Sequence, residues 1–172
     1  NIYGPTEASV YTTWYECERD FKKTAVPIGK PISNMQVYIV DEGRLCGIGV
    51  PGELCIAGDG VAGGYLNRPE LTAEKFVENP YGEGRMYRSG DLARWLPDGN
   101  IAYMGRIDQQ VKIRGFRIEL GEIESVIRKQ DMVQDCAVIV SGTDNDKAIC
   151  AYIVAEQKID TAKIRTLLHK DL

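Results

Sequence analysis

The sequence holds a single histidine, His169. That shortage excludes an HExxH zinc motif and a Ser-His-Asp triad built within this chain. The five cysteines, Cys17, Cys46, Cys55, Cys136 and Cys150, are odd in number and nowhere spaced as CxxC. Such a pattern argues against a disulfide framework or a zinc site and reads as free thiols in a reducing, cytoplasmic setting. Long apolar runs are missing as well. The longest stretch without Asp, Glu, Lys or Arg, residues 31–40, is ten residues, far short of the roughly 18 that read as a membrane span. No basic segment followed by an apolar core opens the chain, so no secretory signal is expected. The first residue is Asn1 rather than Met, and it falls inside a motif. The chain is therefore expected to be a segment of a longer polypeptide.

What is present is ordinary globular composition: 172 residues, 44% hydrophobic and 27% charged. Glycine is in surplus, 18 residues against a usual share of about 7%, which points to many turns and close backbone approaches. The net charge of −4 argues against a general phosphate-backbone binder. Residues 1–105 carry 10 basic and 14 acidic groups, whereas residues 106–172 carry 11 of each. Four cations and one anion crowd into residues 106–117. A basic ribbon on a mildly acidic chain suggests a small anionic ligand rather than nucleic acid.

Periodicity predicts strands at 35–40, 53–57, 86–87, 93–96 and 101–103, with a strong hairpin turn at Pro97-Asp98-Gly99-Asn100. Residues 69–76 read as one or two helical turns with Pro69 at the first position. After Asp108 the character changes. Val111-Lys112-Ile113-Arg114 alternates apolar and cationic as a half-buried strand does, and Gly115 breaks it. Leu120, Ile123 and Ile127 share one helical face, with glutamates early and Arg128 and Lys129 late, as the helix dipole favours. Strands follow at 136–140 and 149–155, and Asp160 can cap a last helix that buries Ile164, Leu167 and Leu168. The expected class is α+β: a strand-rich, barrel-like portion over residues 1–107, then a small α+β portion over 108–172.

Four segments carry candidate chemistry. Asn1-Ile2-Tyr3-Gly4-Pro5-Thr6-Glu7 gathers an aromatic ring that can stack on a base, a hydroxyl that can donate to phosphate and a carboxylate that can hold Mg²⁺; alone it also reads as a surface turn. GELCIAGDGVAGGYL contains Gly58-x-Gly60-x-x-Gly63 with Glu78 twenty residues past Gly58, a superficial dinucleotide fingerprint. Its context is wrong for that, because Gly64 and Pro69 interrupt any long helix from Gly63, so a structural loop is the better reading. Tyr87-Arg88-Ser89-Gly90-Asp91-Leu92 puts a carboxylate just after a glycine, able to take both hydroxyls of a ribose or simply to cap a turn. The longest is GRIDQQVKIRGFRIELGEIE, in which Gly115 sits between Arg114 and Arg117.

In order and spacing these segments resemble the adenylation domains of nonribosomal peptide synthetases, members of the adenylate-forming superfamily that also includes acyl-CoA synthetases and luciferase. The likeness covers nearly the whole chain, and residues 110–124 look more like peptide synthetases than acyl-CoA ligases. Ser89 stands where the family commonly has threonine, and Gly63 where it often has arginine. The resemblance implies that residues 1–107 are the C-terminal, strand-rich part of the large adenylation subdomain and residues 108–172 an incomplete C-terminal lid. It implies that Tyr3 stacks on adenine with Gly4 beside it, that Thr6 contacts the α-phosphate and that Glu7 binds Mg²⁺. Asp91 would hold the ribose hydroxyls with Arg106 in support, and Asp108 would be the hinge. Ile2, Val10 and Tyr11 match positions lining the amino-acid pocket, and Lys112 and Gly115 lie on the loop facing the carrier arm.

The implied enzyme joins an amino acid to AMP from ATP, releases pyrophosphate and passes the acyl group to the phosphopantetheine thiol of a peptidyl carrier protein, in secondary-metabolite biosynthesis. No nucleic-acid or membrane partner is expected. A carboxylate nucleophile, ionised at pH 7 with a pKa near 4, needs no general base. The reaction needs charge management at the α-phosphate. The family's phosphate loop, its lysine cation and the acidic group for the substrate amine are expected outside these 172 residues, so the segment alone is expected to be inactive. Alternatives are a segment of an acyl- or aryl-CoA ligase, or a non-catalytic module that docks a carrier.

Overall fold

Short apolar runs separated by tight turns favour strands that return beside their predecessors, and every strand pairing among the described residues is antiparallel. The computed structural model describes residues 1–18, 25–108, 110–113, 116–142, 146–156, 159 and 161–171, without the side chains of Lys112, Arg117, Lys170 and Asp171. The expected break at Gly115 and the expected cap at Asp160 lie outside the described residues. The chain divides into two compact units, Asn1–Asp108 and Gln109–Leu172.

The first unit opens with a small three-stranded sheet of β1 (Ile2–Tyr3), β2 (Thr13–Trp14) and β3 (Lys30–Pro31), in that order. A 3-10 turn, Thr6–Ala8, fills the connection between β1 and β2. The main sheet follows: β4 (Met35–Asp41), β5 (Arg44–Leu45), β6 (Gly52–Gly58), then helix α1 (Pro69–Lys75), β7 (Phe76–Glu78), β8 (Arg85–Trp95) and β9 (Ile101–Arg106). Strand order is β5-β4-β6-β8-β7, with β9 also pairing with β8. Pro69 occupies the start of α1, as the sequence suggests.

The sheet differs from the sequence reading along β8. Residues 86–87 and 93–96 are not separate strands but parts of this one eleven-residue strand. The alternation that would reveal it is hidden, because Ser89, Gly90 and Asp91 are polar or small and yet buried. Strand β8 is long enough to change partners. It pairs with β7 over its first residues and β9 over its last, and so curls the sheet. Against β6 its register breaks: Leu54 faces Asp91 but Cys55 faces Arg88, leaving Ser89 and Gly90 as a bulge. Gly90 has φ +71°, which only glycine adopts readily. Strand β6 is central, and Leu54, Cys55, Ile56 and Ala57 are each at most 1% exposed. Its unbroken apolar run therefore reflects burial on both faces.

In the second unit, β10 (Val111–Ile113) and β11 (Phe116–Ile118) form a hairpin, followed by helix α2 (Leu120–Arg128), strands β12 (Asp135–Ser141) and β13 (Ala148–Val154), and helix α3 (Thr161–Asp171). Leu120 and Ile127 of α2 pack with Cys136 and Val138 of β12 and Ile164 of α3. Helix α2 also fastens the open edge of β12. The Glu124 carboxylate accepts the Val138 N–H at 2.8 Å, and Arg128 donates to the Cys136 carbonyl. No helix among the described residues is long and apolar enough to cross a membrane.

Gly29 joins the two sheets of the first unit. The Ile28–Gly29 segment bonds to β9 through its backbone: Ile28 N–H donates to Ile101 O at 2.9 Å, and Gly29 O accepts Ile101 N–H at 2.8 Å. The φ of Gly29 is +86°, and a Cβ there would lie 1.7 Å from the Trp14 carbonyl oxygen. Replacing Gly29 with Ala combines left-handed strain with a backbone clash. The expected cost is about 2–3 kcal/mol, read as a lowered urea midpoint at unchanged m-value.

Candidate functional site

The bulge in β8 decides where Asp91 points. Ser89 Oγ donates to the Leu54 carbonyl at 2.5 Å and accepts the Asp91 N–H at 3.0 Å, fixing the backbone on either side of Gly90. Asp91 is thereby buried, only 6% exposed, at the edge where β9 and the chain's first strand meet it. Its carboxylate accepts a hydrogen bond from the Tyr3 hydroxyl on one oxygen. The other oxygen accepts from Arg106 Nη1 at 3.1 Å and, more weakly, from Tyr103 at 3.5 Å. Arg106 continues to Asp108, donating from Nε to Oδ1 at 2.8 Å and from Nη2 to Oδ2. One guanidinium thus bridges two carboxylates in the forked geometry that lysine cannot reproduce.

The electrostatics follow from this packing. Burial pushes the Tyr3 phenol well above its ordinary pKa, and the Asp91 charge pushes it the same way, so Tyr3 stays a proton donor. Tyr103 is raised for the same two reasons. Burial works against the charge on Arg106, but its hydrogen bond to Asp108 and the charges of Asp91 and Asp108 outweigh it. A carboxylate has room for about four hydrogen bonds, and the three donors from Tyr3, Tyr103 and Arg106 fill all but one of those places on Asp91.

Glu7 lies nearby in sequence but is held separately. It sits on the 3-10 turn, is 9% exposed, and accepts the Tyr65 hydroxyl at 2.8 Å. Burial, then the neighbouring Tyr87 hydroxyl and the contact with Glu7, push the Tyr65 phenol up. The loop after β6 is stitched to this turn by Ala62 N–H to Glu7 O at 2.9 Å and Ser9 Oγ to Gly60 O at 2.8 Å. No group of three or more His, Cys, Asp or Glu suited to a metal occurs among the described residues. Glu7 therefore offers one carboxylate. That suits Mg²⁺, which commonly takes one or two protein carboxylates and completes its shell with water and phosphate oxygens.

The remaining expected site residues fall around these two. Thr6 opens the 3-10 turn with its side chain exposed. Ile2, Val10 and Tyr11 are 58%, 53% and 57% exposed. Val10 has φ +69° directly after Ser9 at φ +58°, an unusual conformation for a β-branched residue. Gly4 explains how it is tolerated: a Cβ there would lie 2.3 Å from the Val10 carbonyl oxygen. What approaches Gly4 closely is the chain's own backbone. Asp108 ends the first unit. Lys112 lies in β10 opposite Arg117, but its side chain and Gly115 are outside the described residues. Sequence reasoning misses Tyr65 and Tyr103, since nothing local distinguishes them from core tyrosines.

Residues 1–66 match the family described as AMP-binding enzyme. The whole chain is 57% identical over 175 residues to tyrocidine synthase 3 of Brevibacillus parabrevis, and 53% identical over 176 residues to bacitracin synthase 1 of Bacillus licheniformis. It spans 3% of the length of each. Among solved structures it resembles PA1221, described as an NRPS protein containing adenylation and PCP domains. The TM-score is 0.77 and the identity 35%, over 91% of this chain and 32% of that one. It also resembles IdnL1, with TM-score 0.88 and 26% identity over 100% of this chain and 36% of that one.

The Tyr3–Asp91 contact makes stability depend on pH in a defined direction. A phenol whose folded pKa is raised stabilises the fold fully below its unfolded pKa of about 10 and loses that contribution as pH rises beyond it. Tyr3→Phe removes the donor, which at neutral pH is expected to cost about 1 kcal/mol. Urea midpoints measured from pH 8 to pH 11.5 should fall above pH 10, and fall less in Tyr3→Phe. Equal slopes would mean that Tyr3 does not donate to Asp91.

Proposed function

The chain belongs to the AMP-binding, adenylate-forming enzymes as part of an adenylation domain of nonribosomal peptide synthetase type, and from that premise we propose that it helps activate an amino acid with ATP. The product is an aminoacyl adenylate plus pyrophosphate. The acyl group then passes to the phosphopantetheine thiol of a peptidyl carrier protein, a partner in keeping with the PCP domain that the similar PA1221 contains. A reaction that draws on ATP and free amino acids belongs in the cytoplasm.

The observation that carries this reading is the convergence of Tyr3, Asp91 and Arg106, with Tyr3 and Asp91 88 residues apart in sequence. In this reading Asp91 takes the ribose hydroxyls, Arg106 holds that carboxylate in place, and the Tyr3 ring stacks on adenine beside the Gly4 turn. Thr6, exposed at the start of its turn, donates to the α-phosphate. Glu7 holds Mg²⁺, which when bound would draw off negative charge developing on the phosphates. Ile2, Val10 and Tyr11 present apolar surface to the amino-acid side chain. Lys112 and Gly115 are the residues assigned to the carrier arm.

The hinge role of Asp108 is supported by the boundary between the two compact units, which falls between Asp108 and Gln109. A residue at such a boundary can absorb backbone rotation between two arrangements of a lid.

Two measurements test the reading in a synthetase that carries this chain. Asp91→Ala should raise KM for ATP by roughly 30–150-fold, equivalent to about 2–3 kcal/mol for charge-assisted hydrogen bonds, with the fold retained at a lowered melting temperature. An unchanged KM with a collapsed melting temperature would make Asp91 a structural cap. Asp108→Pro fixes φ and should slow one half-reaction at least tenfold more than the other, by pyrophosphate exchange against thioester formation. Asp108→Ala, which loses the Arg106 pair but still rotates, should not. Equal losses in both half-reactions for the proline variant would exclude a hinge.

A further inference from the structure

The bulge that aims Asp91 is itself held from one side by a residue that lies outside the candidate site. Glu53 is on β6, one position before Leu54 at the register break, with its side chain only 14% exposed. Its Oε1 accepts the Gly90 N–H at 3.1 Å. Its Oε2 accepts from Arg88 at Nε, 3.0 Å, and Nη2, 2.7 Å. Both partners flank Ser89, so one carboxylate ties together the two sides of the bulge. In an unbroken ladder the Gly90 amide would find a carbonyl on β6. At the bulge that opportunity is lost, and an unpaired amide there would favour refolding of the strand into regular register. With the Cys55–Arg88 pairing kept, such refolding takes up two residues and shifts Asp91 along β6 from opposite Leu54 to opposite Gly52, displacing its carboxylate from its place beside Tyr3 and Arg106.

The far side of Gly90 is equally constrained. A Cβ at this position would lie 2.7 Å from Asp108 Oδ2 and 2.8 Å from Arg106 Nη2, and the Gly90 carbonyl accepts Ile107 N–H at 2.8 Å. Gly90 is therefore gripped between Glu53 and the Arg106–Asp108 pair. We infer that Glu53 is a positioning residue for the nucleotide site: through the Gly90 amide it locks the bulge that aims the Asp91 carboxylate. This inference rests on the role of Asp91 at the nucleotide given above.

The test compares reach with charge at position 53 in the complete synthetase. Glu53→Ala should raise KM for ATP about tenfold, the worth of one charge-assisted hydrogen bond, with KM for the amino acid unchanged. Glu53→Gln keeps an acceptor at the right distance from Gly90 and should retain most of the ATP affinity. Glu53→Asp keeps the charge but falls a methylene short, and should behave like Glu53→Ala; it serves as the second probe if the alanine variant does not fold. In an Asp91→Ala background, Glu53→Ala should add nothing to KM for ATP, because the group it aims is gone. The inference is overturned if the Glu53→Asp variant binds ATP normally while the Glu53→Gln variant does not, or if the Glu53→Ala effect persists in full without Asp91. If Asp91→Ala alone leaves ATP binding intact, the nucleotide reading fails first. If Asp91→Ala weakens ATP while Glu53→Ala has no effect, only the positioning role fails.

Discussion

The first unit is organised by one interruption, the loss of register between β6 and β8 at Ser89–Gly90. A continuous ladder would alternate β8 side chains strictly between faces. The bulge breaks that alternation and buries Ser89, Gly90 and Asp91 in succession. Three consequences depend on it. The Ser89 hydroxyl replaces a ladder partner for two backbone groups. Asp91 enters the space where Tyr3 and Arg106 can reach it. Strand β8 also bends at the place where it exchanges β7 for β9. A bulge beside a cluster of buried ionisable groups is a common way for a sheet to aim one side chain without distorting its neighbours.

The charge arrangement then limits which residues can serve. Asp91 and Asp108 approach the same guanidinium from two directions, so Arg106 neutralises both and the Asp91 carboxylate is never buried unpaired. A lysine would bring the charge but not the two-sided fork, and one carboxylate would be left without its partner. The phenols of Tyr3 and Tyr103 complete the shell as neutral donors, kept protonated by burial and by the charge they solvate. The cluster is thus stable at neutral pH because each buried charge is either paired or hydrogen bonded.

Much of this is legible in the sequence, and the gaps have physical causes. The strand at Met35–Asp41 alternates cleanly because one of its faces is more open than the other, and the Pro97–Asn100 turn uses residues that admit few other conformations. Helix α2 shows its period because only one stripe is buried. Strand β8 reads as two pieces because the bulge removes the periodic signal where it matters. The two-residue strands β1 and β2 carry no periodicity at all. Their pairing depends on Gly4 and Gly29 admitting another segment's backbone at close range. Asp91 and Arg106 can be nominated from their motifs, but Tyr65, Tyr103 and Glu53 act through long-range hydrogen bonds that local pattern cannot reveal.

The unit also separates rigid from adaptable parts in a way that suits the proposed chemistry. The residues assigned to the nucleotide are braced by sheet: Asp91 and Arg106 face each other across β8 and β9, and Tyr3 pairs with Thr13 in β2. The residues assigned to the amino-acid side chain stand largely outside that bracing. Ile2 lies on a two-residue strand, and Val10 and Tyr11 lie on a turn whose backbone already departs from favoured angles. A substituent at Val10 or Tyr11 changes apolar surface that is more than half exposed, and disturbs no core contact. A change at Asp91 would instead strand a buried guanidinium face and two phenols. In that reading the cosubstrate rests on the ladder and the amino-acid side chain on the adjoining turn, so substitutions at Val10 or Tyr11 leave the Asp91–Arg106 pairing across β8 and β9 in place.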